Sequence, residues 1–343
     1  PGKIFTAVSA GFPMEKSFFH GNNKTDDDIA FAIDSGVGYF VVDNLDELSA
    51  LDRIAGEKNV NQKILLRLTP GIDPHTHKKI STGTVESKFG IPIENGQALS
   101  AAEAALGRRN ITLCGFHCHI GSQIFETEPF ESALKIMLEF ISSVREKTGF
   151  TPKMLNLGGG FGVRYTEKDP ATDYTAQIRK ISQVLNSRCA ALGLPVPKIL
   201  TEPGRSIVAD AGMTLYSVGS VKEITGHKNY VSVDGGMTDN PRYTLYDSPY
   251  TVFLASRANS ERNFTATVAG RCCESGDIIG ENIKMPRPMR GEILAVLTTG
   301  AYNYSMASNY NRICRPPVVM LNSEGDYEAV RREHPEDVCR LDI

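Results

Sequence analysis

The feature that most constrains the fold is an alternation of short apolar runs and longer amphipathic stretches over the first 210 residues. The runs have the length of strands, and the stretches between them carry apolar residues at helical spacing. Strands that alternate with helices form parallel βαβ units. The predicted strands are Ser17–His20, Tyr39–Asp43, Lys63–Thr69, Thr112–Ile120, Lys153–Leu157 and Lys198–Thr201.

The predicted helices lie between these strands and are bounded by capping residues. Thr25 and Asn44 precede two of them as N-caps. Gly149 and Gly193 follow two others, as glycines commonly do after a helix. The predicted helices are Asp26–Ser35, Leu45–Ala55, Ile93–Leu106, Phe130–Thr148 and Tyr174–Leu192.

Six strands are compatible with an open sheet or with part of a closed (β/α)₈ barrel, which needs eight. Polar or glycine-rich groups follow nearly every strand. In a barrel those strand ends converge on one site, whereas an open sheet binds its ligand mainly at a switch point. We therefore predict that residues 1–210 form a barrel that lacks its first units.

Beyond residue 210 the helical periodicity nearly disappears, and β-rich runs separated by Gly, Pro and Asn take its place. We predict an all-β domain over residues 211–343. Its strands are predicted at Leu215–Ile224, Asn229–Asp234, Thr251–Ala255, Phe264–Cys272, Glu292–Thr298 and Val318–Leu321.

Charge and cysteine content exclude several classes of protein. A net charge of −3 provides no basic surface for nucleic acid. No apolar run approaches the roughly 20 residues of a membrane helix. The seven cysteines are odd in number and irregularly spaced, which argues against a disulfide framework. We expect a cytoplasmic protein without a membrane or nucleic-acid partner.

Two segments that follow predicted strands can bind an anion. Gly158-Gly159-Gly160 would let backbone N–H groups approach a phosphate, although a tight turn alone also explains it. In Glu202-Pro203-Gly204-Arg205 a carboxylate at a strand end could keep a pyridine nitrogen protonated, and the arginine could bind a phosphate or carboxylate. The alternative is an ion pair at a turn.

His119 opens the segment His-Ile-Gly-Ser-Gln. A flat imidazole can stack on a flat cofactor ring, and Ser122 can donate a hydrogen bond to a phosphate. A core histidine is the alternative. Strand alternation would also place His117 and His119 on one face, where they could form half of a metal site. No further ligand stands nearby, so we predict no metal.

Three polar clusters follow β-rich runs in the second domain. They contain Arg242 and Tyr246, Cys273 and Glu274, and Tyr302. Taken alone, each of these clusters is explained by an ordinary loop. All three can bind the charges of an amino acid, which favours a substrate site.

In this order the motifs resemble the fold-III pyridoxal-phosphate decarboxylases, and among them the diaminopimelate decarboxylase family. The likeness covers essentially the whole chain, and Cys273-Glu274-Ser275 with Arg242 and Tyr246 favours diaminopimelate over ornithine as substrate. Further matching motifs are Phe19–Lys24, Leu66–Gly71, and Thr82–Gly83 with Ser87–Gly90.

The resemblance implies an alanine-racemase-like (β/α)₈ barrel followed by a β domain, with pyridoxal 5'-phosphate as cofactor. It implies decarboxylation of meso-2,6-diaminopimelate to L-lysine and CO2, the last step of lysine biosynthesis. It also implies a homodimer in which each subunit completes the other's site.

Residue roles follow from the same resemblance. His119 would act in catalysis by stacking on the ring, Glu202 would bind the pyridine nitrogen, and Cys273 would donate a proton. The implied cofactor-binding residues are His119, Ser122, Gly158, Gly159, Gly160, Glu202, Gly204, Arg205 and Tyr302. The implied substrate-binding residues are Arg205, Arg242, Tyr246, Glu274 and Tyr302.

The family also has a Schiff-base lysine in a Tyr-Ala-Val-Lys-Ala-Asn type motif on its first barrel strand. The printed sequence holds no such motif, and its six predicted strands are two fewer than a barrel requires. We therefore expect a chain truncated at its N-terminus and inactive by itself. Alternatives are a non-catalytic homologue that binds a cofactor or regulates a partner, and a related basic amino-acid decarboxylase.

We predict that residues 1–343 with pyridoxal phosphate show no absorption band of a lysine-bound cofactor, because the lysine lies outside them. Joining the family's lysine-carrying segment should create the band. Absorption spectra of the two proteins provide the comparison, and the band in residues 1–343 alone would contradict the prediction.

Overall fold

The computed structural model describes residues 1–72 and 87–343, so Thr82 and Gly83 of the family motif lie outside the described residues. The described residues form two compact units. Unit 1 comprises Pro1–Gly162 and Asp173–Pro203, and unit 2 comprises Val163–Thr172 and Gly204–Ile343. The domain boundary at residue 210 stays a prediction.

Unit 1 is built on a parallel sheet. Its strand order is β1-β2-β3-β5-β6-β7, with β4 beside β3. The strands are β1 (Phe18–Phe19), β2 (Tyr39–Val42), β3 (Gln62–Thr69), β4 (Ile91–Pro92), β5 (Ile111–His117), β6 (Met154–Asn156) and β7 (Lys198–Leu200).

All six strands predicted for this unit are confirmed, with some bounds shifted. β5 ends at His117, three residues before the predicted end, where the chain enters the His119 segment. The sequence analysis missed β4, a two-residue strand that includes Pro92 and pairs with Leu68 and Thr69 of β3. A strand this short has no alternation that could reveal it.

The helices of unit 1 cover the sheet with apolar faces. Ile64, Leu66 and Phe116 of the sheet share a buried core with Leu134 and Leu138. The five predicted helices are confirmed, but one begins at Gln97 because Gly96 before it has a φ of +79°. With α1 (Gly2–Ser9), which was not predicted, the helices are α2 (Asp26–Asp34), α3 (Leu45–Glu57), α4 (Gln97–Leu106), α5 (Glu128–Thr148) and α6 (Tyr174–Ala191).

Unit 2 holds a six-stranded sheet of order β10-β13-β8-β9-β11-β12 and a β14-β15 hairpin. β12 and β15 were not predicted; in β12, Glu281 and Asn282 interrupt the apolar alternation. The strands are β8 (Met213–Glu223), β9 (Asn229–Val233), β10 (Val252–Leu254), β11 (Phe264–Ala269), β12 (Ile278–Met285), β13 (Ile293–Leu297), β14 (Val318–Asn322) and β15 (Gly325–Val330).

Three short helices complete unit 2: α7 (Gly204–Val208), α8 (Arg242–Tyr246) and α9 (Pro335–Cys339). At five residues each, they are too short to give the helical periodicity on which the sequence analysis relied. Among the described residues, no helix has both the length and the apolar character needed to cross a membrane.

A buried ion pair ties together three segments at one edge of the unit 1 sheet. Lys24 Nζ donates to Glu47 Oε1 at 2.7 Å, to the carbonyl oxygen of Gly21 at 2.8 Å and to that of Val41 at 2.9 Å. Glu47 Oε2 accepts the N–H of Asp43. Burial lowers the pKa of Lys24 and raises the pKa of Glu47, while their attraction acts in the opposite direction on each. The pair fixes the loops that follow β1 and β2.

We predict that Lys24→Met lowers the free energy of unfolding of unit 1 by about 3–5 kcal/mol, because it leaves the Glu47 carboxylate buried without its counter-charge. Urea denaturation followed by circular dichroism measures the loss. The control is Lys58→Met, whose partner Asp34 is exposed, with an expected cost of about 1 kcal/mol or less. Equal costs for the two variants would contradict the prediction.

Candidate active site

Polar side chains gather where the parallel strands of unit 1 end. His20 follows β1, Asp43 follows β2, and Glu202 lies two residues beyond β7. The guanidinium of Arg67 in β3 lies 3.8 Å from Asp43 Oδ1. Because parallel strands bring their carboxyl ends to one edge, a single site can draw on loops that are far apart in the sequence.

The carboxylate of Glu202 receives several donors on the same oxygen. Asn156 Nδ2 donates to Oε1 at 2.8 Å, and His20 Nε2 lies 2.9 Å from it. His117 Nε2 is 3.6 Å away. Among the described residues, Oε2 has no hydrogen-bond partner, and the side chain is 36% exposed. One carboxylate oxygen is thus held in place while the other can accept a hydrogen bond from a ligand.

The surroundings keep Glu202 ionised. Burial would raise the pKa of Glu202, but the hydrogen bond from His20 and the nearby imidazole of His117 lower it well below its usual range. Burial also lowers the pKa of His117 to about 3 and the pKa of His119 to about 4. Both imidazoles are therefore neutral at pH 7. Because a neutral imidazole has no charge to stabilise the carboxylate, we attribute the lowered pKa of Glu202 chiefly to hydrogen bonds.

The glycine run packs against the His119 segment. The N–H of Gly159 donates to His119 Nδ1 at 3.2 Å, and the N–H of Glu202 donates to the carbonyl oxygen of Gly158 at 2.8 Å. Gly160 has a φ of +104°, and a Cβ there would lie 2.2 Å from the carbonyl oxygen of Gly121. The structure thus brings His119, the three glycines and Glu202 together, as the sequence analysis required.

The possible pairing of His117 with His119 on a single strand face is wrong. β5 ends at His117, so strand alternation does not extend to His119. The structure groups His117 with His20 and Glu202, whose ligand atoms lie within 4.8 Å of one another. Their common feature is the Glu202 carboxylate, and Asn156, a poor metal ligand, makes the shortest contact to it.

Unit 2 holds a second group of predicted residues, around two buried arginines. Arg205 Nη1 donates to the Tyr165 hydroxyl at 2.6 Å, and its guanidinium lies 4.6 Å from the Tyr302 ring centroid. The guanidinium of Arg242 lies 5.5 Å from the Tyr246 ring and 5.6 Å from the Tyr302 ring. We call these five residues the arginine–tyrosine cluster.

Within the part of the chain that the structure describes, one cation of the cluster has no counter-charge. Among the described residues, no carboxylate lies within ion-pair distance of Arg242, and its Nε has no hydrogen-bond partner. Tyr302 has a φ of +66°, a strained conformation for a bulky residue, of a kind that concentrates at functional sites. A buried guanidinium among phenol rings is suited to bind a carboxylate.

The remaining predicted residues lie elsewhere on the two units. Ser122 lies between His119 and the point where Ile124 pairs with Gly160 and Gly162, and Gly204 begins α7. Cys273 and Glu274 are exposed in the loop between β11 and β12, where Glu274 accepts a hydrogen bond from the Tyr310 hydroxyl.

Sequence reasoning missed Asn156 and Tyr165 as site residues. Asn156 is an amide in an otherwise apolar strand just before the glycine run, a polar exception that could have been noticed. Tyr165 carries no such signal, because its role depends on the position of Arg205, 40 residues away.

We predict that His117 makes unit 1 sensitive to acid. The histidine is buried with a lowered pKa, so below its ordinary 6.5 the unfolded chain binds a proton that the folded unit does not. The free energy of unfolding then falls with decreasing pH, by up to about 1.4 kcal/mol per pH unit until the folded pKa of about 3 is reached.

Urea midpoints measured between pH 7 and pH 4 check this slope. His117→Phe should reduce the slope, and the exposed His227→Phe should leave it unchanged. Equal slopes in wild type and His117→Phe would contradict the prediction.

Comparison with known proteins identifies the family. A family model described as pyridoxal-dependent decarboxylase, pyridoxal binding domain, matches residues 2–209. The diaminopimelate decarboxylase of Halalkalibacterium halodurans is 47% identical over 345 residues, and that of Bacillus subtilis is 45% identical over 342 residues. Each alignment covers 100% of this chain and 78% of the relative.

A crystal structure gives the same assignment. Diaminopimelate decarboxylase from M. jannaschii in co-complex with L-lysine aligns with a TM-score of 0.91 and 31% identity, over 100% of this chain and 77% of that one. The predicted fold, a fold-III barrel followed by a β domain, is confirmed. The chain therefore belongs to the diaminopimelate decarboxylase family of pyridoxal-dependent decarboxylases.

Proposed function

We propose that the residues of this chain carry out the pyridoxal-phosphate-dependent decarboxylation of meso-2,6-diaminopimelate to L-lysine and CO2. The observation that carries the proposal is the arrangement of Glu202: protein donors hold Oε1, and the backbone N–H pairs with the glycine run that contacts His119. The names of the relatives support the choice of substrate.

The residues of unit 1 fit pyridoxal phosphate. Glu202 Oε2 would accept a hydrogen bond from the protonated pyridine nitrogen, and the neutral imidazole of His119 would stack on the ring. The N–H groups of Gly158 and Gly159 donate to Asn156 and His119, so these two glycines would shape the phosphate site, and the backbone of Gly160 with Ser122 would bind the phosphate. When bound, the cofactor supplies an electron sink for the bond that breaks. An ionised Glu202 strengthens that sink by keeping the pyridine nitrogen protonated.

The residues of unit 2 fit an amino acid with two carboxylates. Arg242 is a buried cation without a counter-charge among the described residues, and Arg205 lies in the same cluster. Two guanidiniums among phenol groups would fix a carboxylate in a set orientation, and fixed orientation decides which bond reacts. Glu274 would bind an ammonium group of the substrate.

Cys273 would hold the proton that replaces the departing carboxylate. Its side chain is exposed in the loop between β11 and β12, so the thiol is accessible to a ligand. The family resemblance adds that this loop serves a neighbouring subunit. A homodimer is therefore part of the proposal, and analytical ultracentrifugation would test it.

We predict that the chain, joined to the family's lysine-carrying segment, converts meso-diaminopimelate to lysine and CO2. Cys273→Ala should lower turnover about 10²–10⁴-fold, the usual contribution of a positioned proton donor, while the cofactor stays bound. Chromatography of lysine and the cofactor's absorption spectrum measure the two effects. The control is Cys339→Ala, another exposed cysteine, which should leave turnover unchanged.

The same assay separates the alternatives. Turnover of lysine, ornithine or arginine in preference to diaminopimelate would indicate a related basic amino-acid decarboxylase. Cofactor binding with no turnover of any of these would indicate a non-catalytic homologue. Either result would refute the proposed function.

A further inference from the structure

The two adjacent cysteines lie in a tightly closed loop, which we call the cysteine loop (Gly270–Asp277). The N–H of Gly270 donates to the carbonyl oxygen of Asp277 at 2.8 Å, which closes the loop where β11 ends and β12 begins. Within the loop, the N–H of Asp277 donates to the carbonyl oxygen of Glu274 at 3.1 Å. The positions of Cys272 and Cys273 therefore depend on what fixes this short backbone.

The carboxylate of Asp277 fixes it from the inside. Asp277 is 2% exposed. Its Oδ2 accepts the N–H of Cys272 at 2.7 Å, and its Oδ1 accepts the N–H of Met237 at 2.6 Å. One buried side chain thus connects the start of the cysteine loop to the segment that follows β9. Hydrogen bonds to an ionised group are stronger than those between neutral groups.

The space around this carboxylate has no room for side chains at the neighbouring glycines. A Cβ built on Gly236 would lie 2.4 Å from Asp277 Oδ1, and one built on Gly270 would lie 2.2 Å from Oδ2. The carboxylate thus occupies the volume that two side chains would otherwise fill. A longer glutamate would collide with the same backbone, and an asparagine would turn an N–H group toward a backbone donor.

The arrangement makes the two cysteines chemically different. Cys272 is half-buried, and burial followed by the charge and hydrogen bond of Asp277 raises the pKa of its thiol to about 11. The charges of Asp239 and Cys273 act in the same direction. Cys273, the next residue, is exposed. The same carboxylate thus adds to the effect of burial on the Cys272 pKa and holds the backbone that presents Cys273.

We propose that Asp277 is a positioning residue: its carboxylate sets the backbone of the cysteine loop and makes Cys273, rather than Cys272, the reactive thiol. The inference rests on the proposed function only in assigning the thiol a role as proton donor. The selection between the two cysteines is a property of the chain itself, and it can be measured without cofactor or substrate.

Asp277→Asn tests the proposal, with each cysteine followed by iodoacetamide labelling and peptide mass spectrometry. In wild type, Cys273 should be labelled first and Cys272 only at high pH. In Asp277→Asn, loss of the charge should move the Cys272 profile to lower pH. We expect Cys272 to be labelled about tenfold faster at pH 8, since thiolate content changes about tenfold per pKa unit.

Asp326→Asn, which alters an exposed aspartate of β15, is the matched control and should label as wild type does. The proposal is overturned if folded Asp277→Asn keeps the wild-type labelling order and pH profile. A merely structural aspartate would not move the Cys272 profile in a variant that melts like wild type.

A second measurement applies if Asp277→Asn does not fold. In wild type, the amide hydrogens of Met237 and Cys272 should exchange slowly with solvent, because the buried carboxylate accepts both. Rapid exchange of both amides would overturn the proposal. These measurements do not depend on the proposed function. If diaminopimelate is not turned over but labelling and exchange follow expectation, the proposed function fails and the role of Asp277 stands.

Discussion

The organisation of unit 1 depends on a single carboxylate that accepts hydrogen bonds from side chains of different strands. Glu202 follows β7, Asn156 ends β6 and His20 follows β1. In an isolated chain these groups would be hydrated separately. A parallel sheet brings their strand ends to one edge. The ionised acceptor stabilises this arrangement, because hydrogen bonds to a charged group are strong.

The donors around Glu202 also determine which form of the acid the site contains. A carboxylate buried among apolar groups would take up a proton and could no longer stabilise a cation. Here the hydrogen bonds outweigh the effect of burial, and the carboxylate stays charged. The neighbouring His117 and His119 are neutral because burial lowers their pKa and no sufficiently strong acceptor offsets that effect. The site thus has one charged acceptor beside uncharged rings, as a protonated pyridine ring requires.

Much of this could be read from the sequence, because regular elements leave periodic signals. The six strands and five helices predicted for unit 1 all exist, since their apolar spacing matches the faces that the core buries. The glycine run, His119 and Glu202 were found because each follows an apolar run. β4 and α8 could not be found in that way, because two or five residues are too few to show a period.

The contacts that complete each site are less visible in the sequence than the elements. Asn156 and Tyr165 act through partners more than 35 residues away, so only the folded chain reveals them. Glu47, too, is recognisable from the sequence only as a helix residue; the structure shows that it pairs with the buried Lys24, 23 residues away. Local spacing therefore predicts where a functional loop begins but not what holds it.

Buried carboxylates hold loops in both units, and this explains how exposed loops can keep a defined shape. Glu47 accepts the N–H of Asp43 in unit 1, and Asp277 accepts those of Met237 and Cys272 in unit 2. A backbone N–H that is buried without an acceptor costs free energy, so each carboxylate both satisfies donors and restricts the loop to one conformation. Because the restraint is internal, the loop keeps its shape without burying Cys273, and Glu274 needs only the contact with the Tyr310 hydroxyl. The thiol of Cys273 and the carboxylate of Glu274 can therefore stay exposed without loosening the loop that carries them.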